Sequence, residues 1–450
     1  MRQTNFALAL LTAAVLSACG GGGSSEAGDQ SVKVKFSSQV AFGDSLSDVG
    51  TYNVGTVAAL KGGKFTINGD NTAINSTLTG KNYTELLATQ LGLPAACAAY
   101  TGLDGLASQG FSVPVVQHAG CYIYAQGGAR VTNPVGPGNK LAGSALGALT
   151  VPVVTQVANH LALAGGKFTG TELVIVMAGA NDVLFGLSQL STSATAAGTS
   201  AFGTSLTLSL AAGATNPQTA AASIGAALQA ESVKAGHTDA SVVAAAVGAA
   251  VAAGNTAAAS ATVYGPFVAT AQAAGAKAGA DYFSVNAPKL VATMASTATE
   301  LVALVKTQIV AKGANYVVIN NVPDIGTTPL ALSKTADVQA LINAMVKSFN
   351  DTLAAGVAGE SKILYVDTFS VSHDQATNPA PYGLTNVTTP ACNLSTTVNP
   401  LASSLGCNGG NVIAGDVSHY SFADDVHPTP FVQLLLARYV SKYMVQKGWL

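Results

Sequence analysis

Gln39-Val40-Ala41-Phe42-Gly43-Asp44-Ser45-Leu46-Ser47-Asp48 decides how the rest of the chain is read. The apolar run Val40-Ala41-Phe42 stops at Gly43, and a serine follows two positions later. A strand that ends on a glycine delivers the next side chains to the carboxyl edge of a sheet, where open α/β sheets hold their ligands. Glycine permits the tight turn there, and Ser45 projects from it. A serine hydroxyl is a weak nucleophile until a base removes its proton. The far end of the chain supplies a base in Asp424-Asp425-Val426-His427-Pro428-Thr429. A carboxylate three residues ahead of a histidine, in a turn stopped by proline, folds back onto one imidazole nitrogen. The other nitrogen is left to face a serine. This is the triad arrangement, recognised by the role of each group rather than by chain order.

Gly43-Asp44-Ser45-Leu46 with Asp424-x-x-His427 resembles the GDSL family of lipases and esterases, the SGNH hydrolases. Two further blocks carry the resemblance. Tyr122-Ile123-Tyr124-Ala125-Gln126-Gly127-Gly128-Ala129 is similar to the family block N-x-A-x-G-G-A, with Ile123 where the family usually has Asn. Leu173-Val174-Ile175-Val176-Met177 is unbroken and apolar, the pattern of a fully buried parallel strand. It runs into Ala178-Gly179-Ala180-Asn181-Asp182, similar to the G-x-N-D block. The resemblance implies a triad of Ser45, His427 and Asp424. It also implies an oxyanion hole made by the Ser45 and Gly128 backbone N–H groups and the Asn181 amide. Its D-x-x-H spacing selects Asp424 over Asp425. Asp182 reads as a loop-holding residue, and Asp48 as either a cap or a substrate contact. The implied activity is carboxylic ester hydrolysis, on acyl esters or lipids, through an acyl-enzyme on Ser45 and without metal or cofactor. A carbohydrate O-deacetylase or an acyltransferase would use the same triad. A non-catalytic surface lipoprotein would not need Ser45, Gly128, Asn181 and His427 together.

The implied fold is α/β: a three-layer α/β/α sandwich around a parallel, flavodoxin-like sheet, over residues 36–450. Strands at Tyr316–Asn320 and Ile363–Asp367 alternate with helices at 84–92, 292–311, 341–357 and 430–445, as a covered parallel sheet requires. Between Gly186 and Asn286 the composition turns to Ala, Gly, Ser and Thr with scarcely any charge. Residues 186–286 are read as a helical insertion, with Val242–Ala253 a helix too short to cross a bilayer. It is expected either to cap the site or to stand remote from it, and its small residues favour close helix packing.

Residues 1–19 read as a lipoprotein signal peptide: Arg2, an apolar stretch Phe6–Leu16, then Leu16-Ser17-Ala18-Cys19. Cleavage before Cys19 leaves a cysteine for lipidation, and residues 20–35 form a flexible tether. An ordinary secretory signal, giving a secreted or periplasmic protein, is the alternative to a lipid anchor in the outer membrane. Charged residues make up 9% of the 450, with net charge −2 and no basic run, which argues against nucleic-acid binding. A monomer acting on a small-molecule or lipid ester is expected. Cys97, Cys121, Cys392 and Cys407 allow three pairings; Cys97–Cys121 and Cys392–Cys407 are the simplest in an oxidising compartment. Without a CxxC or a nearby histidine pair, zinc has little support.

Overall fold

The structure, a computed structural model, describes residues 34–72 and 79–450. The expected signal peptide, Cys19 and the tether up to residue 33 lie outside these residues. Four parallel strands form the sheet: β1 (Gln39–Gly43), β2 (Leu173–Met177), β3 (Tyr316–Asn320) and β4 (Ile363–Val366), in the order β1-β2-β3-β4. Gly43 pairs with Met177, and Met177 with Asn320, so the strands end together at one edge. Beyond β1 the segment from Tyr122 to Gln126 runs parallel to it. The Ala41 N–H donates to the Tyr122 carbonyl, and the Tyr124 N–H donates back to Ala41. The two-glycine run thus reaches the same edge as Ser45.

Alternation along these strands fills two cores, one on each face. Val40, Phe42, Val174, Val176, Val317 and Ile319 point to one side. There they meet α2 (Val153–Leu163), α3 (Ala180–Ala211), α6 (Ala261–Leu304) and α7 (Ala336–Val357). Ala41, Ile175, Met177, Val318 and Val366 point to the other, against α1 (Tyr83–Gln90) and α8 (Pro430–Gln446). The sheet is therefore covered on both faces, which makes a three-layer α/β/α sandwich. The start of α1 is fixed by a capping box: Asn82 Oδ1 accepts from the Thr84 and Glu85 N–H groups, and Glu85 accepts from the Asn82 N–H.

The Ala/Gly-rich stretch is helical but is not a separately linked unit. Residue 186 lies inside α3 and residue 286 inside α6, so both expected borders fall within continuous helices. Two core helices simply run on past the sheet, joined by α4 (Pro217–Ser232) and α5 (Asp239–Ala252). They pack closely because the contact residues are small. A Cβ on Gly275 would stand 2.8 Å from the Gly198 carbonyl oxygen, and one on Gly279 3.2 Å from that of Ala194. The far end has its own small core of Leu206, Leu210, Ile224, Ala246 and Ala271. By length and composition Ala261–Val310 would pass for a membrane span. At its inner end, however, Met294, Ala298 and Leu301 are buried against the sheet.

Both expected disulfides, Cys97–Cys121 and Cys392–Cys407, are formed. His160, on α2, is 3% exposed, and neither ring nitrogen has a hydrogen-bond partner. It sits among Phe42, Tyr122, Tyr124 and Phe168. Burial pushes its pKa down from 6.5 to about 4, with Glu172 pulling the other way. The unfolded chain therefore takes up this proton near pH 6.5 and the folded chain resists until near pH 4. Stability is lost as pH falls through that window, by about 3 kcal/mol from this group. The difference in unfolding free energy between the wild type and His160→Leu should change by that amount between pH 7 and pH 4. A difference independent of pH would show that His160 is not held neutral.

Candidate active site

Ser45 is placed by Gly43. The Gly43 φ is +153°, and a Cβ there would stand 2.1 Å from the Met177 carbonyl oxygen, so only glycine fits the turn. The next turn is held by two acids. Asp44 Oδ1 accepts from the Leu46 N–H at 3.1 Å. Asp48 Oδ1 accepts from the Gly50 and Thr51 N–H groups, and its Oδ2 accepts from the Gly127 N–H at 2.8 Å. Asp48 is thus neither the expected helix cap nor a group reaching towards the cavity: its carboxylate is a loop tie that joins the serine turn to the two-glycine turn. Burial pushes Asp44 up to about 7 and Asp48 up to about 6, against the pull of the N–H groups they accept. For Asp44, the nearby His427 also lowers the value and Asp182 raises it.

His427 lies 382 positions from Ser45, yet its Nε2 is 2.9 Å from Ser45 Oγ. Its Nδ1 is 2.9 Å from both carboxylate oxygens of Asp424. The carboxylate accepts a hydrogen bond from Nδ1–H and so keeps the proton on that nitrogen, which leaves Nε2 to accept from the serine. Asp424 is itself pinned: Oδ1 accepts from the Val426 and His427 N–H groups, and Oδ2 from the Ser404 N–H at 2.8 Å. Burial alone would raise its pKa, but the His427 charge and these hydrogen bonds outweigh it and hold the carboxyl well below the usual range. Among the described residues no hydrogen bond joins the neighbouring Asp425 to the imidazole; its backbone carbonyl accepts from the Leu330 N–H. Phe65 packs on the imidazole, with ring centroids 4.8 Å apart.

Asn181 opens α3 and is 7% exposed. Its Nδ2 donates to the Ala129 carbonyl at 2.9 Å, which orients the amide; among the described residues its second hydrogen has no acceptor. Gly128, with φ +78°, has the Pro137 carbonyl oxygen 2.2 Å from where a Cβ would be. Among the described residues no protein group accepts from the Ser45 or the Gly128 N–H. Asp182 holds the following loop, accepting from Arg130 Nε at 2.9 Å and from the Val131 N–H.

Ser45, Asn181, Asp424 and His427 line one cavity of about 590 Å³; Gly128 does not line it, but the carbonyl of the next residue, Ala129, accepts from Asn181. Leu184, Phe185, Ile325, Leu330, Val371 and Leu436 make the wall largely apolar. Within residues 186–286 only Ser188 lines it. Among the described residues no group of three or more His, Cys, Asp or Glu side chains could hold a metal ion. Sequence reasoning did not find Ser404, Phe65 or Gln156, whose side-chain amide bonds both backbone groups of Gly43. Of these only Ser404 carries a signal, its position three residues before Cys407.

A family model described as GDSL-like lipase/acylhydrolase matches residues 200–440. That stretch contains Asp424 and His427 but not Ser45, Gly128 or Asn181. Three GDSL esterase/lipase proteins of Arabidopsis thaliana are each 26% identical, over 137, 135 and 147 residues. Each alignment covers 28% of this chain and 36 to 37% of the plant protein, so the chain spans little more than a third of the relatives it matches.

Proposed function

As the chain belongs to the GDSL-like lipase/acylhydrolase family, we propose that it hydrolyses carboxylic esters by an acyl-enzyme mechanism on Ser45. His427 Nε2 takes the hydroxyl proton as Ser45 Oγ bonds to the ester carbonyl carbon. The carbonyl oxygen becomes an oxyanion, held by the Ser45 and Gly128 N–H groups and the Asn181 amide. Asp424 keeps the proton of the imidazole on Nδ1 and stabilises the imidazolium. The carbon–alkoxy bond then breaks, and His427 returns its proton to the leaving alcohol. A water molecule next attacks the acyl-enzyme with His427 as base, releasing the acid and restoring Ser45. The observation that carries this reading is the imidazole with both nitrogens engaged at 2.9 Å, by Ser45 and by Asp424.

The cavity wall favours an acyl chain over an acetyl group. Its volume lies in the range of small-molecule sites, and each buried methylene is worth up to about 0.8 kcal/mol. With p-nitrophenyl esters, kcat/KM should rise about two- to fourfold per methylene from acetate to octanoate. A maximum at acetate would favour a deacetylase instead, and turnover of no ester would remove the hydrolase reading. We propose further that the protein is exported, lipidated at Cys19 and held at the outer membrane as a monomer. Loss of membrane fractionation in Cys19→Ala would be the expected result.

A further inference from the structure

The nucleophile turn and the two-glycine turn meet at a pair of buried glutamines. Gln156, in the first turns of α2, is 1% exposed. Its Oε1 accepts from the Gly43 N–H at 2.8 Å, and its Nε2 donates to the Gly43 carbonyl at 2.8 Å. One side chain thus closes both backbone polar groups of the glycine two positions before Ser45. Its Nε2 also donates to the Val151 carbonyl at 2.8 Å. The Val151 N–H in turn donates to Gln126 Oε1, and the Gln126 N–H donates to Gly43. Gln126 closes the loop, its own carbonyl accepting from the Ala129 N–H. A single circuit therefore links Gly43, Val151 and the Gln126–Ala129 turn that contains Gly128. The amide orientation is fixed by its partners: one N–H has to be accepted and two carbonyls need donors.

We infer that Gln156 is a positioning residue for catalysis, which sets the Ser45 and Gly128 N–H groups at the separation an ester oxyanion needs. This rests on the ester-hydrolase reading. Gln156 touches neither substrate nor triad; it acts through Gly43 and Val151. A displacement of the oxyanion donors by about 1 Å is enough to cost on the order of a hundredfold in rate. The loss falls on kcat, because the donors grip the oxyanion and not the ground-state carbonyl.

The test uses the full-length protein, p-nitrophenyl butyrate and two variants. Gln156→Leu should lower kcat about 30- to 300-fold with KM within about threefold of the wild type. Gln156→Glu provides a rescue that a purely structural bond would not give. When protonated, its carboxylic acid accepts from the Gly43 N–H and donates to the Gly43 carbonyl, losing only the bond to Val151. When ionised, it sets a charge against that carbonyl. Its kcat relative to the wild type should lie within about tenfold at pH 5.5 and fall at least tenfold further by pH 8. Both are read below the melting temperature of each variant. A Gln156→Leu kcat within threefold of the wild type, a loss confined to KM, or a pH-independent Gln156→Glu ratio would overturn the inference. If Gln156→Leu does not fold, the Gln156→Glu ratio decides. A wild type inert towards every ester would sink the hydrolase reading and this inference with it; an active wild type with unaffected variants sinks the inference alone.

Discussion

Ser45→Ala should lower kcat on an aryl ester by about 10⁴- to 10⁶-fold and leave the fold intact. Among the described residues the hydroxyl has one hydrogen bond, with His427 at 2.9 Å, and it faces the cavity, so its removal leaves no buried group stranded. The residual rate should still exceed the uncatalysed one, because the Asn181 amide and the backbone donors remain. Two measurements check this together. The melting temperature should stay within a few degrees of the wild type. A fluorophosphonate should add its mass to the wild type and not to the variant. Substantial turnover in the variant, or an adduct that persists, would move the nucleophile to another residue.

Asp424→Asn should cost about 10³- to 10⁴-fold in kcat, whereas Asp425→Asn should cost less than about fivefold. The two acids are neighbours in sequence but not in role. Both Asp424 oxygens accept bonds, from His427 Nδ1 and from the Ser404, Val426 and His427 N–H groups. An amide turns one of those acceptors into a donor. It then faces either an N–H or the imidazole nitrogen that has to carry a proton, and Nε2 no longer presents its lone pair to Ser45. Some loss of stability should accompany the rate effect, since Asp424 is 4% exposed and ties down the Ser403–Ser404 backbone. Equal damage from both variants would mean that the orienting acid has been misassigned. The carboxyl of Asp424 is held well below the usual range, so it stays ionised throughout the neutral and mildly acidic range.

Much of this site is legible in local sequence because each part sits where a buried strand ends. The run Leu173–Met177 is apolar without a break because both of its faces are covered, and the sheet delivers Asn181 just beyond it. The Asp424–His427 turn is local too, since three residues suffice to bring Nδ1 back to the carboxylate. What escapes a linear reading is support that comes from elsewhere in the chain. Gln156 has no local reason to bind Gly43; a helix packed under the end of β1 brings it there. The borders at 186 and 286 fail for a different reason. Ala-rich sequence carries no stop signal, and even Pro288 does not end α6, whose neighbouring turns are packed against α3 and α7. The segment at Tyr122–Gln126 pairs along β1 only in part, so its strand-like composition overstates its regularity.

The 382 positions between Ser45 and His427 have a consequence during synthesis. A ribosome adding about 5–20 residues per second makes the nucleophile roughly 20 to 80 s before its base. Until the final turn emerges and docks, Ser45 has no group to take its proton. On the proposed mechanism, a truncated product lacking that turn has lost the base for Ser45, whatever else it folds into. If the proposed mechanism holds, ester turnover reports that the last turn of the chain has docked, and not merely that the first strand has formed.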